Sequence, residues 1–322
     1  MAKCDEVELY IIKSAIIIAG TCTGFVSNKI IKDVDFDYVI VDEAAKATFP
    51  ELAVSLNKAR KIILVGDHQQ LPPVLDTELI RDNREKIDEE NLMEGIFEKL
   101  YDMFPEGNKH RLTVQYRMHP TIGTLISHVF YNDEIQNGVS KEERSLGIEG
   151  YENIAIEWIA TSKRSEGERY EKVYENNGKR SYKNNLEKNI IKQKLIDLDS
   201  KLKEKTKIAI ITGYGPQKYI LQTMVRQQSF KNLDIDVDTV DAFQGSQKDI
   251  IIYSTVRSSS NPYGIGFLKS EARINVAFSR ARCLLIIVGD IEFLDNYRIR
   301  GNKFPQIIEY IKSSENCRII QY

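Results

Sequence analysis

The chain has 322 residues, 42% of them hydrophobic and 29% charged, and this length suits two folded domains better than one. Its formal net charge of −2 excludes a general electrostatic attraction to nucleic acid, so any binding of phosphates must come from local basic patches. Four scattered cysteines exclude a disulfide framework, and the lack of a long apolar run or a signal-peptide pattern excludes a membrane protein and predicts a cytoplasmic location.

Strand-like and helix-like segments alternate along the chain. The strand-like runs are rich in Ile and Val and apolar at consecutive positions, which is typical of strands buried on both faces of a parallel sheet. They are Ala15–Ala19, Tyr38–Val41, Lys61–Val65, Ile208–Ile211, Ile250–Tyr253 and Leu284–Val288. Helical periodicity follows at Pro50–Ala59, Asn184–Leu202 and Gln217–Arg226. This alternation predicts an α/β fold with parallel sheets.

Two stretches interrupt the alternation. Gln136–Lys183 is polar apart from the apolar segment Ile154–Ile159, and we expect an irregular connection there, with a mobile loop around Ser162–Ser181. The turn-rich stretch Pro105–Lys109 predicts a domain boundary, which divides the chain into residues 1–108 and 109–322.

The first candidate site follows a strand-like run. In FDYVIVDEAAKAT, Asp42 and Glu43 come directly after Tyr38–Val41, at the edge of a parallel sheet where ligands bind. A hydrophobic strand followed by Asp-Glu is typical of the Walker B motif, in which the Asp holds Mg²⁺ through water and the Glu polarises the attacking water. From these residues alone, it is an equally good interpretation that both acids solvate a strand end or cap the next helix.

The next strand-like run, Lys61–Val65, also ends in a polar loop, GDHQQLPP. Gly66 permits a close approach of backbone, Gln70 can hydrogen-bond a γ-phosphate or the hydrolytic water, and prolines stiffen the exit. Two such strand ends in succession favour a nucleotide site over an ordinary strand-to-helix loop.

These two segments resemble motifs II and III of superfamily 1 helicases, in the Upf-one-like branch that includes the Dna-Two–Nam-Seven group and shares a GDxxQLPP loop. The resemblance implies two RecA-like P-loop NTPase domains, with motifs II and III in residues 1–108 and motifs IV to VI in residues 109–322. It implies ATP and Mg²⁺ as cofactors, with Asp42 as the Mg²⁺ ligand and with Gly66 and Asp67 beside the nucleotide. Such AAA-type helicases move along single-stranded nucleic acid.

The segment TVQYRMHPTIG at residues 113–123 resembles motif IV. The resemblance implies that Tyr116 stacks on the nucleobase and that Arg117 reaches the γ-phosphate. Both roles are physically sound, because an aromatic face suits adenine and a guanidinium forks onto phosphate oxygens. The alternative is the start of a helix with an exposed arginine.

The segment VDTVDAFQGSQKDIIIYSTVRS at residues 237–258 resembles motif V and places Gln244 and Gly245 in a loop between two strands. The resemblance implies that Gly245 and Gln247 contact the nucleotide and that Thr239 and Gln244 contact the nucleic acid. The family usually has QGxE, so Gln247 in place of Glu is expected to weaken the implied contact to the ribose without abolishing it.

The segment RINVAFSRARCLLIIVGD at residues 273–290 resembles motif VI and implies that Arg280 is a second arginine finger. Together with Arg117, this guanidinium would stabilise the charge on the transferring phosphoryl group. The alternative is that Arg273, Arg280 and Arg282 form a solvated basic face.

Other segments resemble parts of the family's nucleic-acid track. The loop GTCTG offers Thr21 and Thr23 to a phosphate backbone, although a plain turn is equally consistent with it. IAIITGYGPQ resembles the family's TPYxxQ segment, with Gly213 in place of the usual proline, and Tyr214 is expected to face the nucleic acid. Pro72 is assigned to the same track.

The phosphate-binding loop G-x-x-x-x-G-K-[ST], whose lysine and N–H groups hold the β- and γ-phosphates, is absent from the sequence. The family places that loop well upstream of motif II. We therefore expect a C-terminal portion of the helicase core, with its first domain truncated at the N-terminus. An upstream segment or a separate subunit would then carry the loop.

The sequence thus predicts a fragment of an ATP-dependent helicase or translocase, which couples ATP hydrolysis to movement on single-stranded DNA or RNA. One alternative is a catalytically inactive module, derived from a helicase, that binds nucleic acid or a partner. A metabolic P-loop ATPase is a weaker alternative, because motifs IV to VI in this order serve helicases.

Overall fold

The computed structural model describes residues 2–28, 31, 34–73, 96–176, 178–296 and 298–322. The chain divides into two compact units, residues 1–110 and 111–322. The division falls close to the turn-rich stretch at residues 105–109.

Unit 1 contains a small parallel sheet with helices beside it. Its elements are α1 Ala2–Ser14, α2 Cys22–Ser27, β1 Phe36–Val41, α3 Phe49–Leu56, β2 Ala59–Leu64 and α4 Ile96–Met103. Strands β1 and β2 run parallel, from Phe36 opposite Ala59 to Val41 opposite Leu64. A capping box begins α3, where the Thr48 N–H donates to the Glu51 carboxylate at 2.8 Å. The core lies at the carboxyl end of β1, and its members are Val41, Ala44, Ala45, Leu52 and Phe97.

Two expectations for unit 1 are wrong. Ala15–Ala19 is not a strand, and Ile16 and Ile17 are 99% and 84% exposed. Among the described residues, β1 and β2 pair only with each other, so the run has no neighbouring strand to join. For the same reason β1 and β2 are not buried on both faces, and Tyr38 and Ile40 are exposed. An apolar run becomes a buried strand only where other elements cover it.

Unit 2 is larger and alternates strands with helices. Its first elements are β3 Val114–Gln115, α5 Pro120–Phe130, β4 Gln136–Asn137, β5 Ile156–Ala160, α6 Glu166–Arg169, β6 Lys172–Asn176 and β7 Lys179–Lys183. They are followed by α7 Asn185–Lys201, β8 Thr206–Thr212, α8 Gly215–Arg226, β9 Leu233–Thr239, β10 Lys248–Ser254, α9 Glu271–Ser279, β11 Ala281–Gly289, α10 Ile291–Leu294, α11 Phe304–Ser313 and β12 Cys317–Gln321.

Six strands of unit 2 form one parallel sheet, in the order β12-β5-β11-β10-β8-β9. The Ile- and Val-rich runs of the sequence form its centre, and the side chains of Ile208–Ile211 and Ile250–Ile252 are fully buried. The predicted α/β class with parallel sheets is confirmed. All strands of the sheet therefore end at one edge, where ligands bind in such folds.

The stretch Gln136–Lys183 is not the irregular connection that its polarity predicts. It supplies strand β5, which lies between β12 and β11 with Trp158 fully buried. The charge that hides this strand is Glu157, which is buried and pairs with Lys194 at 2.8 Å and with Arg318. The same stretch also forms an antiparallel hairpin of β6 and β7.

Candidate functional sites

The two acidic residues after β1 stand at a strand end that is fixed by its neighbour. The Val65 N–H donates to Val41 O at 2.9 Å, and the Ala44 N–H donates to Val65 O at 2.8 Å. Asp42 and Glu43 follow Val41 directly, and the Glu43 side chain is exposed. The backbone of Glu43 is left-handed, with φ of 53°, which is uncommon for a residue with a Cβ and recurs at functional sites. The strand end thus presents two carboxylates on a tightly defined turn.

The loop after β2 is organised by one carboxylate. Asp67 accepts the Gln69 N–H at 3.0 Å through one oxygen and the Gln70 side-chain amide at 2.7 Å through the other. A Cβ on Gly66 would lie 2.8 Å from the Ala45 nitrogen, so only glycine lets the two strand-end loops approach this closely. The structure therefore brings Asp42, Glu43, Gly66, Asp67 and Gln70 to the same edge of the small sheet.

This edge suits Mg²⁺ in part. Mg²⁺ takes oxygen ligands and keeps several waters, so one or two carboxylates beside a phosphate are a sufficient protein contribution. Asp42 fits that role, although one of its oxygens already accepts the Glu43 N–H at 2.9 Å. Among the described residues no group of three or more His, Cys, Asp or Glu side chains could hold a metal by itself.

The small-residue loop at residues 20–24 forms the start of a helix. Thr21 is the N-cap of α2, and its hydroxyl accepts the Gly24 N–H at 3.0 Å. Thr23 is exposed beside it, and Pro72 is exposed in the loop after β2. Capping accounts for Thr21 without a ligand, so the interpretation as a turn stays open beside the one as a phosphate contact.

Tyr116 and Arg117 lie in a turn held by the side chain of Gln115. Its amide oxygen accepts the Arg117 N–H at 2.9 Å and the Met118 N–H at 2.7 Å. Its amide nitrogen donates to Met118 O at 3.0 Å and to the Asn137 side chain at 2.8 Å. The turn is therefore fixed before any ligand binds.

The Tyr116 ring is 65% exposed and supported from below. A Cβ on Gly138 would lie closer than 3.0 Å to three ring atoms, so the ring rests against that glycine. The Arg144 guanidinium donates to Arg117 O at 2.8 Å and to Tyr116 O. An exposed, supported aromatic face suits stacking. Gly138 supports the ring and Arg144 holds the backbone of the turn, and neither residue belongs to a motif of the sequence.

The two predicted arginine fingers meet at one residue. The Arg117 guanidinium donates to Ser279 O at 3.3 Å, and Nη2 of Arg280 lies 3.4 Å from Ser279 Oγ. Arg280 also donates to Val276 O at 3.1 Å and to Ser246 O at 3.4 Å. The segments that resemble motifs IV, V and VI are thus linked within unit 2.

The burial of Arg280 changes its interpretation. Its side chain is 2% exposed, so it is not part of a solvated basic face. Arg273 and Arg282, by contrast, are partly exposed and pair with Asp241 at 3.5 Å and Asp249 at 2.9 Å. Arg280 directs three N–H groups at acceptors within unit 2. The Arg117 guanidinium makes a hydrogen bond there, to Ser279 O. Arg117 is half-buried and is the more accessible of the two arginines.

The loop after β9 contains the other predicted contacts. Gly245 has φ of 77°, a conformation that favours glycine. Gln247 lies beside it, and Thr239 is half-buried at the end of β9. This loop adjoins Arg280 through Ser246 O.

Tyr214 is not placed as the sequence predicts. Its side chain is 2% exposed, and its ring packs against Tyr182 and Phe267, with ring centroids 5.5 Å apart in both pairs. The hairpin of β6 and β7 supplies Tyr182 and covers the loop that would otherwise face a ligand. The Tyr214 ring is therefore unavailable for stacking on a base in this arrangement.

A buried carboxylate at the carboxyl end of β10 was not predicted from the sequence. Glu187 accepts the Ser254 hydroxyl at 2.6 Å and the Val256 N–H at 2.9 Å. Burial raises the pKa of this carboxyl to about 8, although these hydrogen bonds act in the opposite direction. Val256 has φ of 69°, which is strained for a β-branched residue. The carboxylate therefore holds a strained turn at the ligand-binding edge of the sheet.

The sequence matches a protein family described as an AAA domain at residues 92–292, and a second family with the same description at residues 3–78. The first match alone covers more than half of the chain. Among the described residues, no helix is both long and apolar enough to cross a membrane.

Several curated proteins are similar to the chain. It is 32% identical to "Regulator of nonsense transcripts 1 homolog" of Neurospora crassa, with 91% of this chain and 26% of that protein covered. It is 33% identical to "ATP-dependent helicase upf1" of Schizosaccharomyces pombe, with 91% of this chain and 30% of that protein covered. It is also 33% identical to "DNA polymerase alpha-associated DNA helicase A" of Saccharomyces cerevisiae, over 88% of this chain and 41% of that protein. The chain thus spans less than half the length of these relatives.

Solved structures show weaker likeness. An arterivirus nonstructural protein 10 helicase in complex with DNA is 15% identical, with 80% of this chain and 40% of that chain covered and a TM-score of 0.39. Likeness at this level is too low to identify a function.

Proposed function

Because the chain belongs to the AAA-domain family of superfamily 1 helicases similar to Upf1, we propose that it is part of an ATP-dependent motor that moves on single-stranded nucleic acid. In this proposal the chain supplies the Mg²⁺ and water-activating groups from unit 1, and the base-stacking and arginine groups from unit 2. The nucleic acid on which it moves is single-stranded RNA or DNA.

The arrangement around Ser279 carries the proposal. Three segments that are far apart in sequence meet there, since Arg117, Arg280 and Ser246 O are joined through hydrogen bonds to one another or to Ser279. Phosphoryl transfer needs positioned positive charge more than covalent chemistry. Arg117 is assigned to the γ-phosphate. Arg280 is assigned either to the same phosphate after its side chain turns, or to holding Arg117 and the 245–247 loop in place.

Exposure and hydrogen bonding support the other proposed nucleotide contacts. Tyr116 offers a supported aromatic face for adenine. Gly245 and Gln247 lie in the loop that adjoins Arg280, and Gln247 can hydrogen-bond a ribose hydroxyl. The carboxamide of Gln247 is weaker in that role than the usual carboxylate, because a charged acceptor makes the stronger hydrogen bond.

In unit 1 the roles divide between two carboxylates and an amide. Asp42 holds Mg²⁺, in part through water, and Glu43 polarises the attacking water from its strained turn. Gln70, whose amide is fixed by Asp67 at 2.7 Å, orients the water or the γ-phosphate. When bound, the metal would neutralise charge that develops on the phosphate oxygens.

The phosphate loop is supplied from elsewhere in this proposal, by an upstream segment or by a separate subunit. The sequence itself contains no G-x-x-x-x-G-K-[ST] motif. In unit 1 the described residues leave Tyr38, Ile40, Ile62 and Ile63 of β1 and β2 exposed. Tyr38, Ile40 and Ile63 share one face of the two-stranded sheet, and exposed apolar surface of this kind favours packing against another polypeptide.

The test compares ATP hydrolysis by two proteins in the presence of single-stranded RNA or DNA. One is the 322-residue chain, and the other is a polypeptide that joins it to a segment with a phosphate loop. We expect turnover that depends on nucleic acid from the joined polypeptide and background turnover from the chain alone. Glu43→Gln in the joined polypeptide should abolish turnover and leave binding of the single strand intact, because the water-activating carboxylate is not assigned to the strand.

Two outcomes count against the proposal. Turnover by the chain alone would show that the assignment of a separate phosphate loop is wrong. A joined polypeptide that binds single strands but never hydrolyses ATP would favour the second candidate function, a catalytically inactive binding module. The burial of Arg280, which points its guanidinium at its own unit, is the observation that favours that candidate.

A further inference from the structure

The hairpin of β6 and β7 has two chemically different faces. Its strands pair antiparallel, with Lys172 opposite Lys183 and Tyr174 opposite Ser181. Side chains alternate between faces along a strand. Lys172, Tyr174, Ser181 and Lys183 therefore share one face, which we call the outer hairpin face.

One residue of the opposite face, Tyr182, packs onto the rest of unit 2. The Tyr182 ring lies edge-to-face against Tyr214, with centroids 5.5 Å apart, and the Arg257 guanidinium lies 3.9 Å from the Tyr182 centroid. Tyr214 follows β8 and Arg257 follows β10, so both mark the carboxyl ends of strands in the parallel sheet. The hairpin is thus anchored over the ligand-binding edge of that sheet.

The outer hairpin face combines positive charge with an aromatic ring. Lys172 is exposed, Tyr174 is 44% exposed, and the Lys183 ammonium lies 5.9 Å from the Tyr174 centroid. Among the described side chains of the two hairpin strands, the one acid is Glu175, and it lies on the opposite face. Its carboxylate is 3.8 Å from Nε of Arg180. The outer face therefore carries cations beside a ring that is open to a planar ligand.

We propose that the outer hairpin face binds single-stranded nucleic acid, with Tyr174 stacked on a base and Lys172 and Lys183 on phosphates. Sequence-tolerant binding of single strands uses this combination of stacking and positive charge. The hairpin covers the Tyr214 loop. The hairpin, and not that loop, is therefore the surface that contacts the nucleic acid at this edge of the sheet. This inference rests on the proposed function, because it extends the nucleic-acid track of the same motor.

The experiment measures the affinity of the 322-residue chain for fluorescein-labelled oligo(U) and oligo(dT) by anisotropy over a range of salt concentrations. Strands of about 12 nucleotides lie within the site sizes known for single-strand binding folds. Tyr174→Ala should weaken binding by about 5- to 100-fold, whereas Tyr174→Phe, which keeps the ring, should bind like the wild type. The double variant Lys172→Ala/Lys183→Ala should weaken binding and lower the slope of log affinity against log salt by about 0.7 for each phosphate that is no longer neutralised.

A matched control removes two charges from the other end of the sheet. Lys205 and Lys207 are exposed at the amino-terminal end of β8, away from the edge that the hairpin covers. The double variant Lys205→Ala/Lys207→Ala should keep the affinity and the salt slope of the wild type. Thermal unfolding of each variant checks that the hairpin substitutions, all on exposed or half-exposed side chains, leave the fold intact.

The outcomes separate the inference from the function on which it rests. A wild-type chain that binds neither oligonucleotide overturns the nucleic-acid part of the proposed function. A wild-type chain that binds, with an affinity that Tyr174→Ala does not change, overturns the hairpin site alone. Equal losses in the two double-lysine variants, or equal competition by polyglutamate, also overturn it, since they show attraction to any anion. A preference for oligo(U) or for oligo(dT) that Tyr174→Ala abolishes supports the site and shows which of the two strands it binds more tightly.

Discussion

The fully buried carboxylate of Glu187 accepts the N–H of Val256 at 2.9 Å. Val256 is the strained residue after β10, and the Ser254 hydroxyl donates to the same carboxylate at 2.6 Å. One side chain on helix α7 therefore fixes the turn that leads towards Arg257 and the anchored hairpin. Its protonation links that turn to pH.

The first prediction concerns this link. Burial raises the pKa of Glu187 from its ordinary value of 4.5 to about 8. Between those values the folded chain holds a proton that the unfolded chain has released, so the free energy of unfolding decreases as pH rises from about 4.5 to about 8. Glu187→Gln, which keeps the shape but cannot titrate, should remove that part of the decrease. Thermal unfolding of both proteins across this pH range measures the difference.

The expected sign is specific. The melting temperature of wild type relative to Glu187→Gln should fall with rising pH and level off above about pH 8. A difference that does not vary with pH would show that the carboxyl titrates alike in the folded and unfolded chain.

The second prediction concerns His119, which begins helix α5 and accepts the Thr121 N–H at 3.1 Å through Nδ1. Burial, together with the positive charge of Lys141, lowers its pKa from 6.5 to about 4. The unfolded chain therefore binds the proton first, and stability falls as pH drops from about 6.5 to about 4. His119→Asn, which can still cap the helix, should reduce that loss in thermal unfolding scans.

The two variants, each of which removes one titrating group, serve as controls for each other. Glu187→Gln removes a contribution that decreases stability with rising pH, and His119→Asn removes one that increases it. Curves that change in the same direction for both variants would contradict these assignments.

The sequence predicted the strands of unit 2 where covering elements are present on both faces. Ile208–Ile211 became buried strand as predicted, whereas Ala15–Ala19, of similar composition, did not, because no described strand pairs with it. Strand β5 was missed because Glu157 looks like a surface charge until Lys194 is placed beside it at 2.8 Å. Burial of such a group depends on partners distant in sequence, which a local pattern does not contain.

The candidate site shows the same limit. The segments were identified from local sequence, but the exposure of each side chain depends on what folds over it. Tyr214 is buried because a hairpin some thirty residues earlier in sequence, with Tyr182, packs on its ring. Gly138 and Arg144, which support Tyr116, lie outside every motif. Only tertiary structure identifies such residues.

The third prediction concerns the turn that carries Tyr116 and Arg117. A Cβ on Gly123 would lie closer than 3.0 Å to Oδ1 of Asn137 and to Nε2 of Gln115, and the hydrogen bond between these two side chains holds that turn. Gly123→Ala should lower the free energy of unfolding by about 1–3 kcal/mol, because overpacking outweighs the usual helical gain of alanine. Urea denaturation measures the change.

Gly167→Ala is the matched control. Gly167 lies in α6 with no atom within 4 Å of the added Cβ, so its substitution should change stability by less than about 0.5 kcal/mol. Equal stability of the two variants would contradict the close approach at Gly123.

The fourth prediction separates the roles of the two arginines at Ser279. Arg280 is 2% exposed and donates to Val276 O, Ser246 O and the Ser279 hydroxyl, whereas Arg117 is the more exposed of the two. Hydrogen bonds from charged groups contribute about 1.5–3 kcal/mol each when a partner is left buried, so Arg280→Ala should lower the free energy of unfolding by at least that amount. Arg117→Ala should cost about 1 kcal/mol, and the exposed Arg226→Ala, as control, less than about 0.5 kcal/mol in urea denaturation. Arg280→Lys should recover only part of the loss, because one ammonium does not reproduce the forked geometry of the guanidinium.

An Arg280→Ala variant as stable as the wild type would show that the guanidinium is not held as the structure has it. That result would favour the arginine-finger role of Arg280 over the positioning role.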